Sequence, residues 1–320
     1  MVKRIISFNI IALVCILNFS CSSSSPAYYD LATKDYNSGK YESAIINYSK
    51  AIDRDPNDAL SYFGRAKAKS MLGRDFLAIN DYTIALALNP DFGDAYLGKG
   101  ISELLTEQYK PALGDLEKAV NYFPNREEAY FSRAYVKSKL NDLPGALEDY
   151  NKAAQLNPND KKIYINRGNV KADMDDHLGA IDDFTTALAI DSTDVNAYID
   201  RGTDKGIIGD YEGAVSDFTS AIQLDPENYE LYFMRAEANN MMNKFSEAIK
   251  DFSHILEADP KNAKVYYRRG LDFIALENKE DGCADLKVAG DLGYFDAYEA
   301  INKYCKVEKK PHNKKKIRRN

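Results

Sequence analysis

The sequence predicts an all-α protein built as a stack of helical hairpins, and three observations carry that expectation. The 320 residues repeat with a 34-residue period, the length of one two-helix unit. Each period carries two apolar faces at helical spacing. Turn-forming residues and prolines recur between those faces at fixed positions. A chain this long exceeds one ordinary core, so a repeat array or several domains is expected. A hydrophobic content of 45% is enough to bury a continuous interior.

The chain begins with a segment that is not part of this stack. Lys3 and Arg4 precede a mostly apolar run from Ile5 to Leu17. That run falls short of the roughly 20 residues a spanning helix needs, so residues 1–20 read as an export signal. Ser20-Cys21 and the serines 22–25 follow. A small residue, a Cys and a polar tether resemble the lipobox of bacterial lipoproteins, in which the Cys becomes the lipidated first residue. Asn18 stands where that family carries an aliphatic residue, with Leu17 one step further out. The resemblance implies a lipid anchor on Cys21, a tether over 21–26 and a location on the bacterial cell envelope. Ordinary secretion is the alternative.

Eight repeats are expected over residues 27–294. Numbered 1 to 34, they start at Ser25, Ala59, Gly93, Glu127, Lys161, Val195, Tyr229 and Ala263. Position 4 is Tyr in all eight, and position 8 is Ala or Gly in all eight. Position 20 is Ala except for Gly282, and position 27 is Ala except for Ile255. Position 24 is Tyr, Phe or Leu throughout. Positions 4 and 8 share a face of the first helix, and positions 20, 24 and 27 share a face of the second. Small residues let the axes approach, and the aromatics fill the space between. Position 15 is Gly, Asn or Asp in six repeats, types that tolerate the left-handed conformation ending a helix. Glu107 and Glu277 depart from that rule. Proline at position 32 in six repeats stops the second helix, while Pro111 and Pro144 fall in first turns that accept proline.

This pattern resembles the tetratricopeptide repeat family over residues 27–305. The resemblance implies a right-handed α-solenoid whose first helices line a concave groove that binds protein or peptide. Residues 295–305 read as one further amphipathic helix that caps the last hairpin.

Position 7 departs from the Leu usual in that family. It is Arg65, Lys99, Arg133, Arg167, Arg201, Arg235 and Arg269 in repeats two to eight. Position 23 is Asp81, Asp115, Asp149, Asp183, Asp217, Asp251 and Asp285 in the same seven, whereas repeat one has Leu31 and Asn47. The joint change predicts a ladder of ion pairs between the two helices of each hairpin. A row of arginines that binds an anion is the functional alternative.

Groove positions 5, 9, 12 and 13 of repeats three and four supply Leu97, Ile101, Leu104, Leu105, Phe131 and Tyr135, with Lys139 beside them. They are the candidate partner-binding residues. Packing between neighbouring hairpins is the competing role. The Lys, Asn and Arg set with which some family members clamp a terminal carboxylate is missing.

Catalytic chemistry has no foothold. "GDAYLGKG" over 93–100 imitates a phosphate loop as far as Lys99 and then has Gly100 where Ser or Thr should hold magnesium. Asp173, Asp175 and Asp176 lack the spacing of a calcium loop and read as a solvated turn. His177, His254 and His312 share no metal-ligand spacing, and His177 reads as inter-helix packing. No nucleophile and base stand in a plausible context, so no enzyme activity, cofactor or small-molecule substrate is expected. Cys283, at the start of the last second helix, and Cys305, at the end of the capping helix, can meet if those helices pack antiparallel. A disulfide suits an exported chain, and two reduced thiols are the alternative.

Residues 306–320 carry eight Lys or Arg against one Glu, a net +7 that leaves −14 on the rest of a chain whose total is −7. This basic run reads as a disordered tail, solvated or drawn to a polyanion such as anionic lipid. An acidic body argues against nucleic acid as its partner. The whole reads as a protein-interaction scaffold. A structural subunit that works through its convex face and ends is the alternative.

Overall fold

The computed structural model describes residues 25–305. The expected signal segment, Cys21 with most of its tether, and the basic tail lie outside them. The described residues form 17 α-helices and no strand, in two compact units divided after Pro158. Unit one comprises α1 (Ser25–Asn37), α2 (Tyr41–Arg54), α3 (Ala59–Ser70), α4 (Asp75–Leu88), α5 (Gly93–Leu105), α6 (Tyr109–Tyr122), α7 (Glu127–Lys139) and α8 (Leu143–Leu156). Unit two comprises α9 (Lys161–Asp173), α10 (His177–Ile190), α11 (Val195–Ile207), α12 (Tyr211–Leu224), α13 (Tyr229–Met241), α14 (Phe245–Ala258), α15 (Ala263–Ala275), α16 (Lys279–Asp291) and α17 (Asp296–Tyr304). In each unit every helix packs against the next in sequence.

The turn inside each hairpin is the same backbone device. In unit one Gly39, Gly73, Glu107 and Asn141 have φ between 60° and 74°. In the turn after α1, Gly39 N donates to Tyr36 O and Lys40 N to Asp35 O, at 3.0 and 2.9 Å. These two hydrogen bonds satisfy carbonyls that the helix end leaves open. Asp175, Gly209, Asn243 and Glu277 repeat the conformation in unit two. Glu107 and Glu277, read as departures from the turn pattern, therefore adopt the left-handed conformation without the residue type that favours it. Tertiary packing of the two flanking helices overrides the local preference. Second helices start on side-chain caps where the sequence supplies Asp or Asn: Asp142, Asp176, Asp210 and Asn278 accept from the backbone N–H three residues on.

Hairpin packing follows from the small and large positions. Ala32 and Ala44 are fully buried beside Tyr48, and Ala66 and Ala78 beside Tyr82. In unit two an added Cβ on Gly202 would stand 2.9 Å from the Phe218 ring. That closeness is why a small residue recurs at position 8 opposite the ring at position 24. The last helix, α17, lies on α16 and α15 and buries Ala297 and Ala300.

Candidate functional site

Two systems of side chains run along the hairpins, one inside them and one on the first-helix face. The inner system is built on the buried Asp at position 23. In unit one Arg65 Nε and Nη2 donate to Asp81 at 2.8 and 2.9 Å, and Arg133 donates in the same way to Asp149 at 2.7 and 2.6 Å. In unit two Arg167–Asp183, Arg201–Asp217, Arg235–Asp251 and Arg269–Asp285 form the same fork, with every bond between 2.6 and 3.0 Å. The guanidinium also lies over the Tyr at position 4 of its own helix, 5.4 Å away at Tyr62 and 5.6 Å at Tyr198. Its third nitrogen reaches the preceding hairpin: Arg65 to Ser49, Arg201 to Thr185, Arg235 to Thr219 and Arg269 to Ser253, at 3.0 to 3.1 Å. Every nitrogen of these four guanidinium groups is thus engaged within the protein. They bind helix to helix and hairpin to hairpin, and are not presented to an incoming anion.

The reading of the sequence left out one member. Lys69, Lys137, Lys171 and Lys205, at position 11, place their ammonium 2.6 to 2.8 Å from the same Asp. The signal was available, because position 11 lies one turn beyond position 7 on the same face. Repeat one, without Arg or Asp, substitutes a neutral set: Ser43 and Asn47 donate to Asp35 at 2.6 and 2.9 Å. These bonds, Ser43's foremost, hold the Asp35 carboxyl below its ordinary range. Repeat three inverts the charge. Lys99 is shared by Asp115 at 2.5 Å and Glu103 at 3.0 Å. Glu103 is buried, its Oε2 finds no donor in the protein, and burial pushes its carboxyl up.

The outer system lies on the first-helix face of unit one. Tyr36 of α1, Phe63, Lys67, Ser70 and Met71 of α3 and its end, and Leu97, Gly98 and Ile101 of α5 line a cleft of about 190 Å³. Gly98 has no side chain, so Tyr82 of α4 rises to the floor. Asp94, Arg126 and Glu128 form the rim, with Arg126 2.6 Å from Asp94 and 3.7 Å from Glu128. Of the seven residues read as a binding patch, Ile101 and Leu97 reach this cleft. Leu97 is 3% exposed and belongs to the core, so it acts as floor rather than contact surface. Phe131 is committed to packing, edge-on to Tyr150 with ring centres 5.7 Å apart. Leu104 is half-buried against the same core, Leu105 is 59% exposed, and Lys139 lies over the Tyr135 ring at 5.2 Å. The cleft thus lies one repeat earlier than the patch. Tyr36, Phe63, Lys67 and Met71 occupy the same repeat positions 12, 5, 9 and 13 in repeats one and two.

The first helices of unit two differ in chemistry. Asp200 of α11 is pushed up to about 6, first by burial and then by the charges of Asp204 and Asp194. Asp204 is buried and also raised, although His177 Nδ1 stands 2.8 Å from its Oδ1. His177 thus pairs with a carboxylate of the next hairpin rather than serving as plain packing. Burial likewise pushes Asp272 of α15 up to about 6. Its Oδ2, and Oδ1 of Asn240, find no donor in the protein. Glu237 and Arg268 pair on this face. Among the described residues no group of three or more His, Cys, Asp or Glu is placed to hold a metal ion. Cys283 and Cys305 form a disulfide with Cα atoms 5.7 Å apart, joining the start of α16 to the end of α17.

Family models for tetratricopeptide repeats match residues 209–268 and, with a second model, residues 34–73 and 138–175. Among solved structures the chain is similar to YrrB, described as a TPR protein with an unusual peptide-binding site, at 24% identity and a TM-score of 0.53, over 60% of this chain and 97% of that one. It is similar to a tetratricopeptide repeat protein from Parabacteroides merdae at 21% identity and a TM-score of 0.53, over 78% and 99%. MamA from Desulfovibrio magneticus RS-1 is 25% identical with a TM-score of 0.51, over 53% and 96%. The first two likenesses speak to the fold alone. No curated protein matches the chain.

Proposed function

Because the chain is a tetratricopeptide-repeat protein, we propose that it is a non-enzymatic interaction scaffold of the bacterial cell envelope, carried on a lipidated Cys21, whose unit-one cleft holds a peptide segment of a protein partner. The cleft itself carries the reading. It is open, floored by Leu97, Ile101 and Tyr82, and walled by Tyr36, Phe63 and Met71. An apolar floor beneath a charged rim suits a chain segment that buries one or two bulky side chains. Export and anchoring rest on the basic start, the apolar run and the Ser20-Cys21 junction. The test is affinity capture of the chain from its own membranes beside a Met71→Asp/Ile101→Asp variant of unchanged helicity. A partner lost from the variant supports the cleft, whereas an unchanged partner set refutes it.

One observation favours a second reading, a structural subunit that docks through its second helices. Phe76 and Leu77 of α4 are 70% and 55% exposed. A Phe76→Asp variant that loses the partner while the cleft variant keeps it would establish that mode.

A further inference from the structure

We propose that the first-helix face of unit one selects an acidic segment, in which carboxylates flank bulky apolar side chains. This rests on the cleft reading above and adds the chemistry of the occupant. Two lysines on this face are free of the arrangement that holds the others. Lys69 and Lys137 are locked onto the buried Asp of their hairpins. Lys67 and Lys139 have no carboxylate partner among the described residues. Each is backed by aromatic rings instead: Lys67 by Tyr36 at 4.9 Å and Phe63 at 5.6 Å, Lys139 by Tyr135 at 5.2 Å. A ring covers one side of each ammonium without neutralising it, which leaves the open side to a carboxylate. At the rim Arg126 pairs closely with Asp94, at 2.6 Å, and loosely with Glu128, at 3.7 Å, which leaves the rim one net negative charge.

The lysines stand at position 9 of α3 and at position 13 of repeat four, the end of α7, with α5 between them. That middle helix contributes Ile101 and the exposed Leu105 to the face. The order along the face is therefore cation, apolar, cation. An occupant with the complementary order satisfies both charges and buries its apolar residues. A basic segment meets two like charges, which also excludes the chain's own +7 tail as the occupant. The acidic body does not cancel this preference, because charges more than about 10 Å away are largely screened at moderate salt. Positions 9 and 13 carry no lysine in repeats five to eight, so the preference is confined to unit one.

The test pans a displayed library of random twelve-residue peptides against the full chain, then measures selected peptides by fluorescence anisotropy. The expected set is enriched in Asp or Glu on both sides of Leu, Ile, Phe or Met. Lys67→Glu/Lys139→Glu weakens those peptides by about tenfold or more and shifts selection toward basic residues. Lys67→Gln/Lys139→Gln, matched in melting temperature, weakens them without the shift. Selected peptides that bind at Ile101 but show no acid bias, or that bind the Glu variant unchanged, overturn the charge preference and leave the cleft reading standing. Peptides indifferent to Ile101→Asp, or no enrichment at all, overturn both.

Discussion

Arg201 holds Asp217 with two parallel bonds, Nε to Oδ2 at 2.9 Å and Nη2 to Oδ1 at 2.6 Å, and spends its remaining nitrogen on Thr185 of the hairpin before. Lys205 completes the set 2.8 Å from Asp217 Oδ2. Asp217 is almost wholly buried, while both cations keep some contact with water. Removing either cation leaves the carboxylate one partner, and removing both strands it. Arg201→Met is therefore expected to cost about 2 kcal/mol, and Arg201→Met/Lys205→Met about 4–5 kcal/mol, more than the sum of the two single changes. Urea unfolding of these two variants and of Lys205→Met measures it. Simple additivity would mean that the carboxylate is rehydrated rather than stranded.

The hairpin array was legible in the sequence because each anchor recurs in six to eight of the eight repeats. A Tyr at position 4 or an Ala at position 20 means little once, and a great deal at a fixed 34-residue interval. The same logic led to the Arg–Asp ladder, since both residues vanish together in repeat one. What the sequence hid lies where repeats differ. Lys67 and Phe63 look like any surface pair until α1 supplies Tyr36 beside them. Asp200 and Asp272 look solvated until neighbouring helices cover them. Such features depend on contacts between non-equivalent residues, and a repeat pattern carries no information about those.

Glu107 and Glu277 hold φ of 60° and 62° at turns where other repeats use Gly, Asn or Asp. A side chain in that region costs about 1–2 kcal/mol, of which glycine's greater unfolded freedom returns a part. Glu107→Gly and Glu277→Gly are each expected to stabilise the protein by about 0.5–1 kcal/mol. The control is Gly73→Glu, which should destabilise by a similar amount. A fall in melting temperature for both Glu→Gly variants would contradict this account.

Asp272 gives unit two an unusual dependence on pH. Its folded pKa, about 6, lies above the unfolded value of about 3.9. The folded state therefore binds the proton more tightly. Stability from this group is fully present below about pH 4 and is lost as pH rises through about 6. The nearby Arg268 charge and an Asn240 hydrogen bond work in the opposite direction but do not outweigh burial. Asp272→Asn, which cannot ionise, is expected to stabilise the protein by about 1–2 kcal/mol at pH 7 and to lose that advantage by pH 4. Urea titrations at both pH values decide it. An equal effect at the two would show that ionisation of Asp272 is not the cause.

The Cys283–Cys305 bridge ties α17 to the hairpin it covers. That helix is short, nine residues, and buries only Ala297 and Ala300. So small an apolar area gives it little independent hold on α15 and α16. Closing a loop of this span in the unfolded chain is worth about 3 kcal/mol in the chain-entropy account. Reduction, or Cys283→Ser/Cys305→Ser, is expected to release α17 before the rest of unit two unfolds. Hydrogen exchange should then show rapid exchange at Ala300 and Ile301 while Phe252 and Leu286 stay protected. Uniform loss of protection across α13–α17 would instead make the bridge a support of the whole unit. Unchanged exchange at Ala300 would mean that packing alone keeps the cap in place.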